Sequence, residues 1–189
     1  MRRRRIPRNK GQPSMKLIGG IALALLWTGG AQAAVETHCN GPAAQKMLGL
    51  YSAFADDILS GAHPERIGDY LAADVVWRDA PRGMPAGLEP MRRQYATINA
   101  AFPGHKVETR FALCAYSLLT VHQTLTGTNT GTLLGYPATG KSYSVRHSET
   151  YRFEGDRIRE VWGEGLIPQV LIPIGWSLTW PGDTTTAAK

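Results

Sequence analysis

Apolar and polar positions alternate along the second half of the chain. From Leu118 to Trp162, runs of β-branched and aromatic residues are cut at short intervals by Gly, Pro and Asn. That pattern predicts an antiparallel meander. Tyr116 to Thr126 reads as one strand, with Val121, Gln123 and Leu125 on one side and His122, Thr124 and Thr126 on the other. Two turn-rich clusters, Thr126–Gly131 and Gly135–Gly140, separate it from a strand over Lys141–Phe153. A reversal at Glu154-Gly155-Asp156 returns the chain as Ile158–Trp162. With Gly155 and Asp156 as the turn, Phe153 stands opposite Ile158, Tyr151 opposite Glu160, Glu149 opposite Trp162 and His147 opposite Glu164. Val145 and Tyr143 share that face. The other face carries Ser144, Arg146, Ser148, Thr150, Arg152, Arg157 and Arg159, and reads as solvent.

The first half follows a three-to-four spacing. Met47, Leu50, Tyr51, Phe54 and Ile58 mark one helical face, which Gly61 stops. His63-Pro64-Glu65 opens a shorter helix to about Leu71. Ala73 to Asp79 reads as a strand with Trp77 and Asp79 on one face, followed by a loop dense in Pro and Gly. Leu88 to Phe102 is a third helix, striped by Met91, Tyr95, Ile98 and Phe102. Lys106 to Ala112 alternates as a strand, with Val107, Thr109 and Phe111 together. Leu166 to Trp176 is apolar, but Pro168 and Pro173 predict a short or broken helix. Helices and an antiparallel sheet together give an α+β fold.

Composition changes this picture at the N-terminus. Residues 1–33 have the make-up of a signal peptide: a basic start, the 11-residue apolar run Leu17–Trp27, and the cleavage pattern Ala31-Gln32-Ala33. Either Met1 or Met15 could begin it. The run is too short to span a bilayer comfortably, so no membrane anchor is expected after cleavage and the location is periplasmic or secreted. All seven charges of the leader are basic. Without them, 14 Lys+Arg face 15 Asp+Glu, a net of −1. The basic balance of the whole chain therefore implies no nucleic-acid partner. Residues 34–176 suit one domain, and 177–189 read as a tail. Cys39 and Cys114 could pair in an exported protein, or stand apart with Cys114 in the core.

The candidate chemistry lies on the inward face of the meander. His147, Glu149, Glu160 and Glu164 sit there among apolar neighbours, where ionisable groups are costly unless partnered. Such a face is what a pocket for a hydrophobic small molecule would look like. Trp77, Asp79, Tyr151, Trp162 and His122 are further candidates for it. Cys-rich metal spacing, a glycine-rich phosphate loop and a nucleophile elbow are all missing, so the chemistry expected is acid–base work with no metal and no cofactor.

Leu125–Lys141, Tyr151–Ile158 and Glu160-Val161-Trp162 resemble the SnoaL-like polyketide cyclases, also called ester cyclases, over about Met47 to Gly175. The resemblance implies the nuclear-transport-factor-2-like fold, a cone-shaped curved antiparallel sheet with about three helices enclosing one pocket. It implies a cofactor-free aldol-type closure of a polyketide ester, and it makes a homodimer compatible. Glu149 would serve as base and His147 as its donor or acid partner, with Glu160 and Trp162 following the family's Glu-x-Trp. The family pattern carries an Asp just after the position of Trp162; here Gly163 stands there, with Glu164 next. The catalytic acid is then Glu164, Glu149 or absent. An acid–base lyase or isomerase and a non-catalytic periplasmic binding protein both remain open. The ionisable cluster favours the first, the leader and Gly163 the second.

Overall fold

A computed structural model of the chain describes residues 35–80, 82–163 and 166–176. The proposed leader, the tail and Glu164 lie outside the described residues. The sheet has six strands in the order β1-β3-β4-β5-β6-β2 and is curved but not closed. The strands are β1 Glu36–His38, β2 Leu71–Trp77, β3 Lys106–Ala115, β4 Leu118–Thr128, β5 Ser142–Glu154 and β6 Arg157–Trp162. The central β3-β4-β5-β6 meander is antiparallel, whereas β1 on β3 and β2 on β6 are parallel. The helices are α1 Pro42–Phe54, α2 Ile67–Tyr70, α3 Leu88–Ala101 and α4 Leu166–Leu171.

Periodicity explains the helices. Met47, Tyr51 and Phe54 are the buried face of α1, and a π-helical turn, Ala55–Leu59, carries that face on through Ile58. Pro168 falls in the first turn of α4, where helical backbone donors are unpaired in any case. Packing α1 and α2 on the sheet buries Phe54, Ile58, Ile67, Leu71, Val121, Tyr151 and Ile158 in one cluster. Each such side chain contributes ~1.5–3 kcal/mol relative to exposure. A second cluster joins Ala101, Phe102, Leu133, Tyr143, Val145 and Ile174 at the other end of the sheet.

Two bulges within the antiparallel meander correct the simple alternation. In β6, Arg152 pairs with Glu160 but Phe153 with Ile158, so Arg159 is an extra residue. A bulge moves everything beyond it to the opposite face. Val161 therefore turns inward to pair with Tyr151, and Glu160 and Trp162 turn outward. In β3, Arg110 is the extra residue between Thr109 and Phe111. Phe111 leaves the inner face and packs edge-on against His38, with ring centroids 5.9 Å apart. Strand β4 also runs two residues further than the turn formers predict, through Gly127 and Thr128.

Cys39 and Cys114 are joined in a disulfide spanning 75 residues, which ties the segment after β1 to the edge of the sheet. A cross-link of that span restricts the unfolded chain. Replacing both cysteines by serine should cost about 2–5 kcal/mol of unfolding free energy. Urea unfolding of the two forms checks this, and superimposable curves would contradict it.

Candidate active site

The inner face of the sheet, α3, the π turn and α4 enclose a cavity of about 590 Å³. Its wall is largely apolar, with Trp77, Met91, Ile98, Phe102, Leu125 and Val161 prominent. The polar side chains that reach it are few: Asp79, Gln94, Tyr95, Thr97, His105, Gln123, Tyr143 and Glu149.

Glu149 is inward because β5 alternates and its neighbours at 147 and 151 are buried. Its Oε2 is held by two donors. The Tyr151 hydroxyl donates to it, and Gln123 Nε2 donates at 3.1 Å. Gln123 Oε1 in turn accepts from the Tyr51 hydroxyl at 2.7 Å. A chain of hydrogen bonds thus runs from α1 through β4 to the carboxylate. The carboxylate only accepts, so the NH2 end of the Gln123 amide faces Glu149 and its oxygen is left for the Tyr51 phenol. Oε1 makes no hydrogen bond with a described residue and lies 3.3 Å from His147 Nε2. That distance permits charge attraction, but the alignment is not that of a hydrogen bond, and Nε2 is unpartnered among the described residues. His147 itself is 3% exposed.

Gly163 explains the free oxygen. A Cβ at this position would stand 2.9 Å from Glu149 Oε1, 3.1 Å from its Cγ and 3.3 Å from His147 Nε2. The Glu149 carboxylate therefore fills the space into which a side chain at 163 would project. The Gly163 amide donates to Asp79 Oδ2 at 2.9 Å, which brings a second carboxylate to the same place.

Three phenols surround this point. Burial, and then the Glu149 charge, push Tyr51, Tyr95 and Tyr151 above their ordinary value of 10.0. All three stay protonated at neutral pH; Tyr51 and Tyr151 donate within the site, and Tyr95 keeps a proton to donate into the cavity. A carboxylate oxygen free to accept a proton, beside phenol donors in an apolar chamber, can shuttle protons at a carbon next to a carbonyl.

The structure brings Trp77, Asp79 and Glu149 to the cavity and sets His147 and Tyr151 behind Glu149. It does not bring Glu160, Trp162 or His122 there. The Arg159 bulge puts Glu160 outside, bonded to Arg78 and, at 2.6 Å, to Arg152. Trp162 lies under the Arg152 guanidinium, 5.5 Å from it. His122 faces out and meets Ser148 Oγ at 2.8 Å. Sequence reasoning missed Tyr51 and Tyr95 as functional groups, because both fit apolar helical stripes. Gln123 was placed on the face of Val121 and Leu125 by alternation but was not singled out as a site residue. His105 follows Pro103-Gly104 and carries no pattern of its own.

A family model described as SnoaL-like polyketide cyclase matches residues 45–165. No curated protein sequence matches the chain. Among solved structures, it is similar to a proposed SnoaL-like polyketide cyclase from Jannaschia sp. CCS1, with TM-score 0.64 and 15% identity over 74% of this chain and 98% of that one. A SnoaL-like polyketide cyclase from Agrobacterium tumefaciens aligns with TM-score 0.53 and 21% identity over 62% and 88% of the two chains. A protein with a ketosteroid isomerase-like fold from Catenulispora acidiphila, in complex with trimethylamine, aligns with TM-score 0.54 and 20% identity over 68% and 97%. At these identities the likeness establishes the fold.

Two predictions follow from the outer and inner faces of β6. The Arg78 and Arg152 guanidiniums hold the Glu160 carboxyl below its ordinary value of 4.5. A depressed folded value contributes stability that is present above the unfolded value and lost as pH falls through the folded one. Glu160→Gln should therefore flatten part of the fall in melting temperature below about pH 4.5; an unchanged acid limb would contradict this. Separately, Gly163→Ala forces a Cβ against the Glu149 carboxylate and should cost about 1–3 kcal/mol. That cost should largely vanish in a Glu149→Ala background, as a double-mutant cycle by denaturant unfolding would show.

Proposed function

This chain belongs to the SnoaL-like polyketide cyclase family, and from that premise we propose that it is an exported, cofactor-free acid–base catalyst acting on a hydrophobic carbonyl compound. The reaction is an aldol-type ring closure or a related isomerisation. The observation that carries the reading is the place of Glu149. Its free Oε1 occupies the space of a side chain at 163, the position where the family pattern has its acid. In this chain the acid comes from the middle of β5 instead of the end of β6.

The residues act as follows. Glu149 Oε1 removes a proton from the carbon beside the substrate carbonyl, and that carbon's bonding pair becomes the enolate. The Tyr95 hydroxyl, which lines the cavity close enough to feel the Glu149 charge, donates to the enolate oxygen. The enolate carbon then bonds to a second carbonyl carbon of the same molecule. Glu149 returns the proton to the new alkoxide, or to another carbon when the outcome is isomerisation. Asp79 fixes the backbone at Gly163, and His147 backs the free oxygen of Glu149. The apolar wall excludes water, which strengthens each of these interactions. Export belongs to the same proposal. The leader pattern supports it, and the Cys39–Cys114 disulfide suits an oxidising compartment.

The test is deuterium uptake in heavy water, followed by NMR, with β-keto esters, aromatic polyketide esters and ketosteroids. Uptake beside a carbonyl should outrun buffer and fall about a hundredfold or more in Glu149→Gln. The double variant Glu149→Ala/Gly163→Asp should recover at least about tenfold over Glu149→Ala, since it restores a carboxylate in the same space. Uptake that survives in Glu149→Gln would remove Glu149 as the base. Saturable shifts without uptake would turn the reading to a binding protein.

A further inference from the structure

The cavity has a second polar end that the acid–base chemistry does not use. Tyr143 and Glu149 both face inward from β5, six residues apart, or about 20 Å along the strand. Beside Tyr143 lies His105, the residue just before β3. Both residues line the cavity and both are 5% exposed. Between the two ends the wall is apolar, with Val107, Leu125, Ile98 and Phe102 facing the space.

This end is built as closely as the first. His105 Nδ1 is 2.9 Å from the Phe102 carbonyl oxygen. A carbonyl only accepts, so Nδ1 carries a proton, and the neutral form of the ring presents a lone pair at Nε2. The Phe102 ring packs edge-on against Tyr143, with centroids 5.2 Å apart, and holds the phenol in place. Gly127 makes the juxtaposition possible. A Cβ there would stand 3.0 Å from His105 Cβ and 3.1 Å from the Tyr143 hydroxyl oxygen. That accounts for a glycine inside a strand, where it otherwise weakens pairing. Neither His105 Nε2 nor the Tyr143 hydroxyl bonds to another described residue, and neither is sealed away from the cavity. Burial pushes the Tyr143 phenol up to about 12, so it stays a donor at neutral pH.

We propose that His105 and Tyr143 form a second recognition subsite, which takes a hydroxyl group at the end of an elongated apolar ligand remote from the carbonyl held at Glu149. A hydroxyl suits the pair because it both donates and accepts. Its proton goes to His105 Nε2, and its oxygen accepts from Tyr143. A carbonyl or ether there would leave His105 unpaired, and an apolar end would leave both groups unpaired. The subsite rests on the reading that the reacting carbonyl lies at Glu149. It selects which molecules enter and takes no part in proton transfer at carbon.

A long-chain β-keto ester whose straight alkyl chain ends in a hydroxyl, and its analogue ending in a methyl group, are suitable probes, each with the keto group at the far end. Quenching of tryptophan fluorescence reports binding, since Trp77 lines the cavity. Wild type should bind the hydroxyl-ended ester at least about tenfold more tightly than the analogue, the scale of one or two well-placed hydrogen bonds. His105→Phe and Tyr143→Phe should each lower that ratio severalfold, partly because the analogue no longer leaves the deleted group unpaired, and the double variant should bring it close to one. Tyr143→Phe keeps the ring against Phe102, so it guards against a mere folding defect. Glu149→Gln should leave the ratio intact, which separates the subsite from the acid–base reading. Deuterium uptake with no affinity ratio would sink the subsite alone, and a ratio without uptake would sink the acid–base reading alone. A wild-type ratio near one, a ratio unmoved in both variants, or no saturable binding of the hydroxyl-ended ester overturns the proposal.

Discussion

A carboxylate inside an apolar chamber has to be hydrogen-bonded, and much of the architecture answers that requirement at Glu149. An unpartnered buried charge would cost several kcal/mol or more. Three elements meet the demand: α1 through Tyr51, β4 through Gln123 and β5 through Tyr151. The same rings are also packing material. Tyr51 and Tyr151 lie 5.2 Å apart, and Phe54 sets its edge against Tyr70, Tyr95 and Tyr151. One aromatic layer therefore fixes α1 on the sheet and supplies the donors. Because every donor serves Oε2, the other oxygen is left facing the space beside Gly163.

The bulge at Arg159 decides which residues can join that site. One inserted residue exchanges the faces of β6, taking Glu160 and Trp162 out and bringing Val161 and Gly163 in. The outer face makes use of what it receives. Glu160 becomes the centre of an ion pair with Arg78 and Arg152, and Trp162 lies beneath Arg152.

The helices, the meander and the loops were legible because their periods are strong and their ends carry Gly and Pro. The inward positions of Glu149, His147 and Tyr151 followed from alternation along a strand with no bulge. The register of β6 was not legible, since the turn at Gly155-Asp156 fixes only the first pairs and an extra residue leaves no mark in composition. Strand β1 escaped notice because three residues have no period to read. Tyr51 and Tyr95 were hidden by their rings, which satisfy an apolar stripe while their hydroxyls do polar work. Gly163, read from sequence as a missing acid, is in the structure the clearance that admits an acid from the neighbouring strand.

The disulfide has a consequence at the rim of the sheet. Strand β3 would otherwise offer a ten-residue edge, a template on which other chains could add strands. Its first half is guarded by exposed charges at Lys106, Glu108 and Arg110. Its second half, Phe111-Ala112-Leu113, is apolar and is covered residue for residue by Glu36-Thr37-His38. Three residues of parallel pairing are little to hold a cover in place. Cys39 follows immediately and is bound to Cys114, the next residue of β3 beyond the covered stretch. The cross-link thus works as a latch on a sticky edge, and in a reducing medium the hazard it guards against is aggregation, whether or not the rest of the fold survives.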